Sequence, residues 1–298
     1  MNDILEKIKS APHEQIPDLA HDKFVQVYSQ KFGEEEAETF FEQQKNLFIG
    51  EMQAGSYAQK LATADAMSIY FAFINLAING LSLEKGSSTT CYLEAKSVKI
   101  GEDPKQRDKY GNPLAIYQNS AVITITGYGE IILRQRAGQI TSVDSPKVVY
   151  DCDSLRFGER DGKSFLEYEK CIPRPKGSKV IACYVRIIKK DKSVDYFVLD
   201  TDEMIRLRGY CSKQNGGRYI NPLYGKQDDC SDIDTGFLKS KTIKHAFKGY
   251  PKLPIGSGAT LEADKDLDPV ENQPTEPENT APANGVSVQS DDNDPFNQ

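Results

Sequence analysis

Between Phe24 and Gln53 the apolar positions Phe24, Val25, Val27, Tyr28, Phe32, Phe40, Phe41, Leu47, Phe48 and Met52 recur three or four apart among acidic residues. That period predicts amphipathic helices, with Gly33 breaking the stretch into two. A third helix is predicted from about Ala62 to Asn79. It is apolar on nearly all sides through Met67, Ile69, Phe71, Phe73, Ile74, Leu76 and Ile78, as a core helix is, and Gly80 suits the left-handed position after it. After Leu83 the period changes. CYLEAKSVKI and LAIYQNSAVITITGY carry β-branched and aromatic residues in partial alternation around the turn-rich EDPKQRDKYGNP, and predict two paired strands.

Gly129 to Gly138 returns to helical spacing through Ile131, Ile132 and Leu133. TSVDSPKVVY, SLRFGER and KSFLEYEK read as strands, the last two meeting at Asp161-Gly162, a pair suited to a two-residue hairpin turn. KVIACYVRII and VDYFVL, joined by KKDKS, predict a hairpin apolar on both faces, which belongs inside a sheet covered by helices. Helices near Thr201 to Cys211 and near Gly236 to Tyr250 close the domain. The expected architecture is α+β, mainly antiparallel sheet with packed helices, in one domain over residues 1–255 with a helical N-terminal part over about residues 1–83. Residues 256–298, rich in Gly, Pro, Asn and acid and poor in aromatics, are expected to form a disordered acidic tail, because they cannot offset the entropy of folding by burial.

Charge changes the picture once it is divided along the chain. The net charge of −7 argues against a polyanion as partner, yet residues 1–95 hold 7 Lys and Arg against 14 Asp and Glu, residues 96–255 hold 29 against 20, and residues 256–298 hold 1 against 10. A middle block at +9 attracts phosphate over about a Debye length, roughly 8 Å at physiological salt, whatever the distant ends carry. The longest apolar stretch, Ala66 to Ala77, is too short to span a bilayer, and MNDILEKIKSAPHE lacks the features of a secretion signal, so a cytoplasmic protein is expected. Cys91, Cys152, Cys171, Cys183, Cys211 and Cys230 form no CxxC pair, and reduced packing cysteines are expected rather than a zinc site or a disulfide framework.

Catalytic patterns are sparse. No GxxxxGK[ST] loop occurs, which argues against an ATP-driven motor, and His13, His21 and His245 fall in no HExxH motif. The strongest enzymatic alternative is a metal-dependent nuclease, since Asp153 followed by Asp161-Gly162-Lys163 imitates the acid and D-x-K pattern that holds a divalent ion. The hairpin turn is the better account of Asp161-Gly162, and Asp151, Asp153 and Glu159 fit solvated strand ends. The expectation is a binding protein, not an enzyme, with no cofactor. Its candidate DNA-binding residues are cations with aromatics among them: Tyr128, Arg134, Arg136, Lys147, Arg206, Arg208, Arg218 beside Tyr219, Lys239, Lys241, Lys244 and Lys248. Cations neutralise phosphates, and aromatic or guanidinium planes stack on unpaired bases without demanding a sequence. Tyr128 fits a core position as well as a DNA-facing one, and Gly127, Gly129 and Gly138 can simply serve backbone turns.

Several stretches, in order, resemble the RecT family of phage and prophage single-strand DNA annealing proteins. ATADAMSIYFAFINLAINGLSLEKGSSTTCYLEAK is similar to the family's helix ending in Gly-Leu and its first strand. GYGEIILRQRAGQITSVDSPKVVYDCDSLRF resembles its Gly-Tyr segment, helix, Arg-small-Gly and strand, covering Gly127, Tyr128, Arg136 and Gly138. SKTIKHAFKGYP is similar to its terminal basic helix, placing Lys241, Thr242 and Lys248 on matched positions. The resemblance runs from about Phe24 to Pro254; Arg134 does not fall on a family basic position, the 105–113 loop is this chain's own, and Asn215 to Asp234 is longer than usual.

The resemblance implies the annealase fold of RecT and Redβ, homo-oligomeric rings or helical filaments on DNA, and pairing of complementary single strands without nucleotide in recombination and repair. It also implies a bacterial or phage-infected cell and, frequently, a companion exonuclease. The alternative is a protein that coats single strands without pairing them. The tip DDNDPFNQ resembles the ending by which bacterial single-strand binding proteins recruit partners through an apolar anchor, here Phe296, although two residues follow it. The other reading of the tail is a solubilising or DNA-competing polyanion.

Overall fold

In a computed structural model the described residues are 2–86, 88–107, 111–214 and 220–262. Helices α1 (Asn2–Ser10), α2 (Ile16–Leu19), α3 (His21–Phe32), α4 (Ala37–Ala54), α5 (Ala58–Leu61) and α6 (Ala66–Asn79) come first. α6 is the buried centre of this half. Asp65 caps its start by accepting the Ser68 N–H at 2.8 Å, and Gly80 closes its end in the left-handed region at φ 58°. Phe73 on α6 meets Phe24 of α3 and Phe41 and Phe48 of α4, with ring centroids 4.8 to 5.8 Å apart. The three-to-four spacing of the aromatics thus becomes one interlocked core.

The first sheet packs on α6. Strands β1 (Cys91–Arg107) and β2 (Pro113–Ile125) form an antiparallel hairpin from Cys91↔Ile125 to Arg107↔Pro113, with irregular register beyond Lys99. β1 runs on through much of the stretch expected as a turn. Cys91, Leu93 and Ala95 are buried on one face of its first half, and the other face there carries half-buried Tyr92 and buried Glu94, while the distal half of the hairpin leaves Val98, Ile100, Leu114 and Ile116 exposed.

Helix α7 (Gly127–Arg136) leads to β3 (Ile140–Val143), β4 (Lys147–Tyr150), the hairpin β5 (Ser154–Arg160) and β6 (Lys163–Glu169), then β7 (Val180–Lys189) and β8 (Val194–Asp200). Asp161 and Gly162 join β5 to β6 with φ of 53° and 70°, the two left-handed residues that a tight hairpin turn demands. β3 and β4 pair with successive parts of one edge of β7, and β8 pairs with the other edge, all antiparallel. Helices α8 (Thr201–Gln214) and α9 (Thr235–Ala246) follow, α9 continuing into one 3₁₀ turn at Phe247–Gly249.

α7, α8 and α9 cover the face of β7 that carries Cys183, Val185 and Ile187, building two apolar clusters with Leu199, Met204, Leu207, Leu238, Ile243 and Phe247. Tyr184, Arg186 and Ile188 point to the other face and are only half-buried. The expectation of helices on both faces therefore needs correction. Tyr and Arg present apolar stems and polar tips, so a strand that reads as evenly apolar is in fact two-sided.

A second correction concerns the domain's end. Instead of stopping at residue 255, the chain returns across α6 and adds β9 (Ala259–Leu261) parallel to β2, with Ile123 donating to Gly258 O and Glu262 N–H to Ile125 O. Gly256 and Gly258 press against Asn75 and Phe71 so closely that a Cβ at either position would clash. Residues 263–298, with the expected tail and Phe296, lie outside the described residues. The observed class is α+β with mainly antiparallel sheets, and no described helix is long and apolar enough to cross a membrane.

Candidate nucleic-acid interface

The basic residues singled out by sequence separate into those bound up within the fold and those that face outward. Arg134 belongs to the first group and is only 2% exposed. Its Nε and Nη2 both donate to Glu130 Oε1 one turn earlier, Nη1 donates to Gln139 Oε1 at 2.6 Å and to the Pro251 carbonyl at 3.0 Å, and its Cζ lies 4.7 Å from the Phe247 ring centroid and 5.4 Å from that of Tyr250. Burial pushes the Glu130 carboxyl above the ordinary carboxylate range while Arg134 pulls the other way. Arg134 is therefore a clamp between α7 and the segment after α9, and its expected DNA-facing role is withdrawn.

Arg136, exposed on α7, is also tied to the fold. Its Nη1 donates to the carbonyls of Asn79 and Gly80, and its guanidinium stacks on Phe32 at 4.8 Å. A cation thus sits at the C-terminal end of α6, where the helix dipole is negative. On α8, Arg206 pairs with Glu203 and lies over Tyr210, and Arg208 donates to Asp228 Oδ1 at 2.8 Å. Tyr128 is half-buried against the cluster of Val185, Ile187, Ile243 and Phe247. Arg218 and Tyr219 lie outside the described residues.

On α9 the candidate lysines differ in exposure. Lys239, Lys241 and Lys244 are half-buried and Lys248 is exposed in the 3₁₀ turn, but Thr242 and His245 are buried with Ile243 against the sheet. Lys241 Nζ lies 5.3 Å from the Phe237 ring centroid and 6.0 Å from that of Tyr224.

Asp153, the acid of the nuclease alternative, is fully enclosed and accepts from Tyr150 N–H at 3.0 Å, Cys171 N–H at 2.9 Å, the Tyr168 hydroxyl at 3.1 Å and Arg174 at 3.2 Å. Burial alone would raise this carboxyl, but the combined donors outweigh it and hold it below the ordinary range. Asp153 sits at the base of the β5–β6 hairpin and Asp161 at its tip. The seven residues of β5, at about 3.3 Å each, keep them roughly 20 Å apart, too far to share one ion. Among the described residues no group of three or more His, Cys, Asp or Glu could hold a metal.

Lys147, exposed on β4, is the predicted cation that the fold leaves facing outward beside an aromatic ring on the sheet. It pairs across the strands with Tyr184 of β7, and two residues further along the same face Arg186 pairs with Tyr196 of β8. Directly paired residues point to the same side, so cations and tyrosines lie next to each other on the face turned away from α7, α8 and α9. Arg186 reaches Asp144 at 3.3 Å, and Tyr168 packs edge-on against Tyr184 at 5.5 Å. Tyr184, Arg186 and Tyr196 were missed in the sequence. The alternation Cys183, Val185, Ile187 against Tyr184, Arg186 was the available signal. Comparison with protein-family models and with curated proteins finds no match to the chain.

Proposed function

We propose that this protein binds single-stranded DNA, assembles on it as a homo-oligomer and anneals it to a complementary strand without ATP, in an annealase fold of the RecT kind and in the cytoplasm. The observation that carries the reading is the sheet face turned away from α7, α8 and α9, where Lys147 lies opposite Tyr184 and Arg186 opposite Tyr196. Phosphates would meet the cations and unpaired bases the rings, a mixture that binds single strands with little regard to sequence. The +9 charge of residues 96–255 supports it, as does the ordered resemblance from Phe24 to Pro254. Exposed Val98, Ile100, Leu114 and Ile116 favour a chain that associates with other copies, and association along one strand supplies avidity where each contact is modest.

The test mixes complementary fluorophore- and quencher-labelled oligonucleotides with the protein, without magnesium or nucleotide. Pairing faster than the uncatalysed rate, with affinity falling steeply as salt rises, is the expected result. Binding without acceleration would identify a coating protein, and cleavage on adding magnesium would restore the nuclease alternative.

A further inference from the structure

The β5–β6 hairpin carries an arrangement that none of the residues considered so far includes. Its register places Arg156, Gly158 and Arg160 of β5 on one face with Glu167, Phe165 and Lys163 of β6 opposite them. Gly158 faces Phe165 and has no side chain of its own. A Cβ there would stand 3.1 Å from Cε1 and Cζ of the ring, so glycine is what lets Phe165 lean across the neighbouring strand. The guanidinium groups of Arg156 and Arg160 flank that ring at 5.9 and 5.2 Å from its centroid. Arg156, Arg160 and Lys163 are exposed, and among the described residues none of the three forms an ion pair. This distinguishes them from Arg134, Arg206 and Arg208, each of which is paired with a carboxylate.

We infer that this face of the hairpin is a base-stacking platform for single-stranded nucleic acid, with Phe165 under a base and Arg156, Arg160 and Lys163 on the flanking phosphates. The assignment rests on the single-strand reading above and gives it a specific contact. An aromatic ring flanked by two planar cations offers a π surface next to charge, and base–aromatic stacking tolerates any base. Arginine adds paired donors toward phosphate oxygens. Glu167, opposite Arg156 on the same face, lies towards the base of the hairpin, so the strand is expected to cross nearer the tip, over Phe165, Arg160 and Lys163. Duplex DNA keeps its bases stacked on each other and an acidic peptide has no base to stack, so neither gains from the ring.

The experiment uses the full chain and a long thymidine homopolymer, joined by ultraviolet cross-linking and mapped by mass spectrometry, with affinity measured by anisotropy. A cross-link at Phe165 is expected, and Phe165→Leu, which keeps apolar bulk, should abolish it and weaken binding roughly five- to hundred-fold. Arg156→Gln with Arg160→Gln, at exposed positions, provides a second variant whose melting temperature should match the parent's. If the parent binds the homopolymer and both variants bind it equally, with cross-links elsewhere, the platform is overturned while single-strand binding stands. If the parent binds no single strand, both readings fall. Equal weakening of duplex and of an acidic peptide by the Arg variant, with no effect of Phe165→Leu, would reduce the face to a nonspecific cation patch and also overturn it.

Discussion

Asn79 Nδ2 donates to the carbonyl of Ile255 at 2.9 Å, joining the end of α6 to a residue 176 positions later. The same amide donates to Asn75 O at 2.8 Å, so the strap at 255–262 is fastened to the central helix before β9 pairs with β2. A chain ending at Pro254 should therefore lose this hydrogen bond, the β9 ladder and the cover of Ile255 and Leu261, about 3 kcal/mol together and a fall of roughly 6–12 °C in Tm. A chain ending at Glu262 keeps every described contact and should melt with the parent. Removing the further residues, net −8 by sequence, should also tighten single-strand binding at low salt. Calorimetry of the two truncations checks the first expectation and anisotropy at low and high salt the second.

Asp153→Ala should destabilise the protein by about 3–5 kcal/mol, because it leaves Arg174 without its partner and two backbone donors and the Tyr168 hydroxyl without an acceptor. The native carboxyl is held below its ordinary value, so its contribution is present above the unfolded value of about 4 and disappears as pH falls through the lower folded one. Urea denaturation from pH 6 to about pH 2 should show the parent losing that margin and Asp153→Ala lacking it throughout. A variant as stable as the parent would return Asp153 to the list of functional acids.

His21 carries the opposite sign. Its Nδ1 meets Asp22 and its Nε2 meets Glu38, both at 3.0 Å, and hydrogen bonds to these two carboxylates raise its folded-state value. Stability from this group is complete below the unfolded value of about 6.5 and is lost as pH rises through the raised folded value. The site is partly exposed, so screening keeps the effect below about 1 kcal/mol. His21→Gln should flatten the fall in Tm between about pH 6 and pH 8, and an NMR titration of the ring should place its midpoint above 6.5.

These residues also indicate what the sequence could convey. The Asp161-Gly162 turn, the helix ending at Gly80 and the paired strands on either side of residue 110 were legible because each depends on local chemistry: a left-handed pair, a cap, an alternation. β9 was not, since GSGATLE has little apolar content and gains its place from distant partners: the close fit of Gly256 and Gly258 on Asn75, the Asn79 hydrogen bond to Ile255 and the ladder with β2. The basic block was visible as a count, but a count cannot tell a cation enclosed by the fold from one in solvent. Glu130 four residues before Arg134 was a local hint of the clamp, while Phe247, Tyr250 and Pro251 come to it from more than a hundred positions away. Phe165 and its arginines were hidden for a related reason: SLRFGER shows a hairpin strand, and only the register reveals that its glycine faces a ring.

Arg134 and Lys147, both basic and both candidates from sequence, should separate cleanly in mutants. Arg134→Ala leaves Glu130 as a buried carboxylate without its cation and should cost about 3–5 kcal/mol. Its loss of DNA binding should follow loss of folded protein, so at a temperature where the variant remains folded its affinity should equal the parent's. Replacing Glu130 and Arg134 together by Gln and Met should be milder than Arg134→Ala, because no uncompensated charge is left inside. Lys147 is exposed beside Tyr184 and holds nothing in the core, so Lys147→Ala should leave Tm within about 1 °C while lowering single-strand affinity. One fewer phosphate would then be neutralised, and the slope of log affinity against log salt should become shallower by about 0.7. Anisotropy across a salt series, beside calorimetry of the same preparations, reads both quantities. An Arg134→Ala protein with native Tm and weakened binding would put that guanidinium on DNA, and an unchanged salt slope for Lys147→Ala would take the sheet face off it.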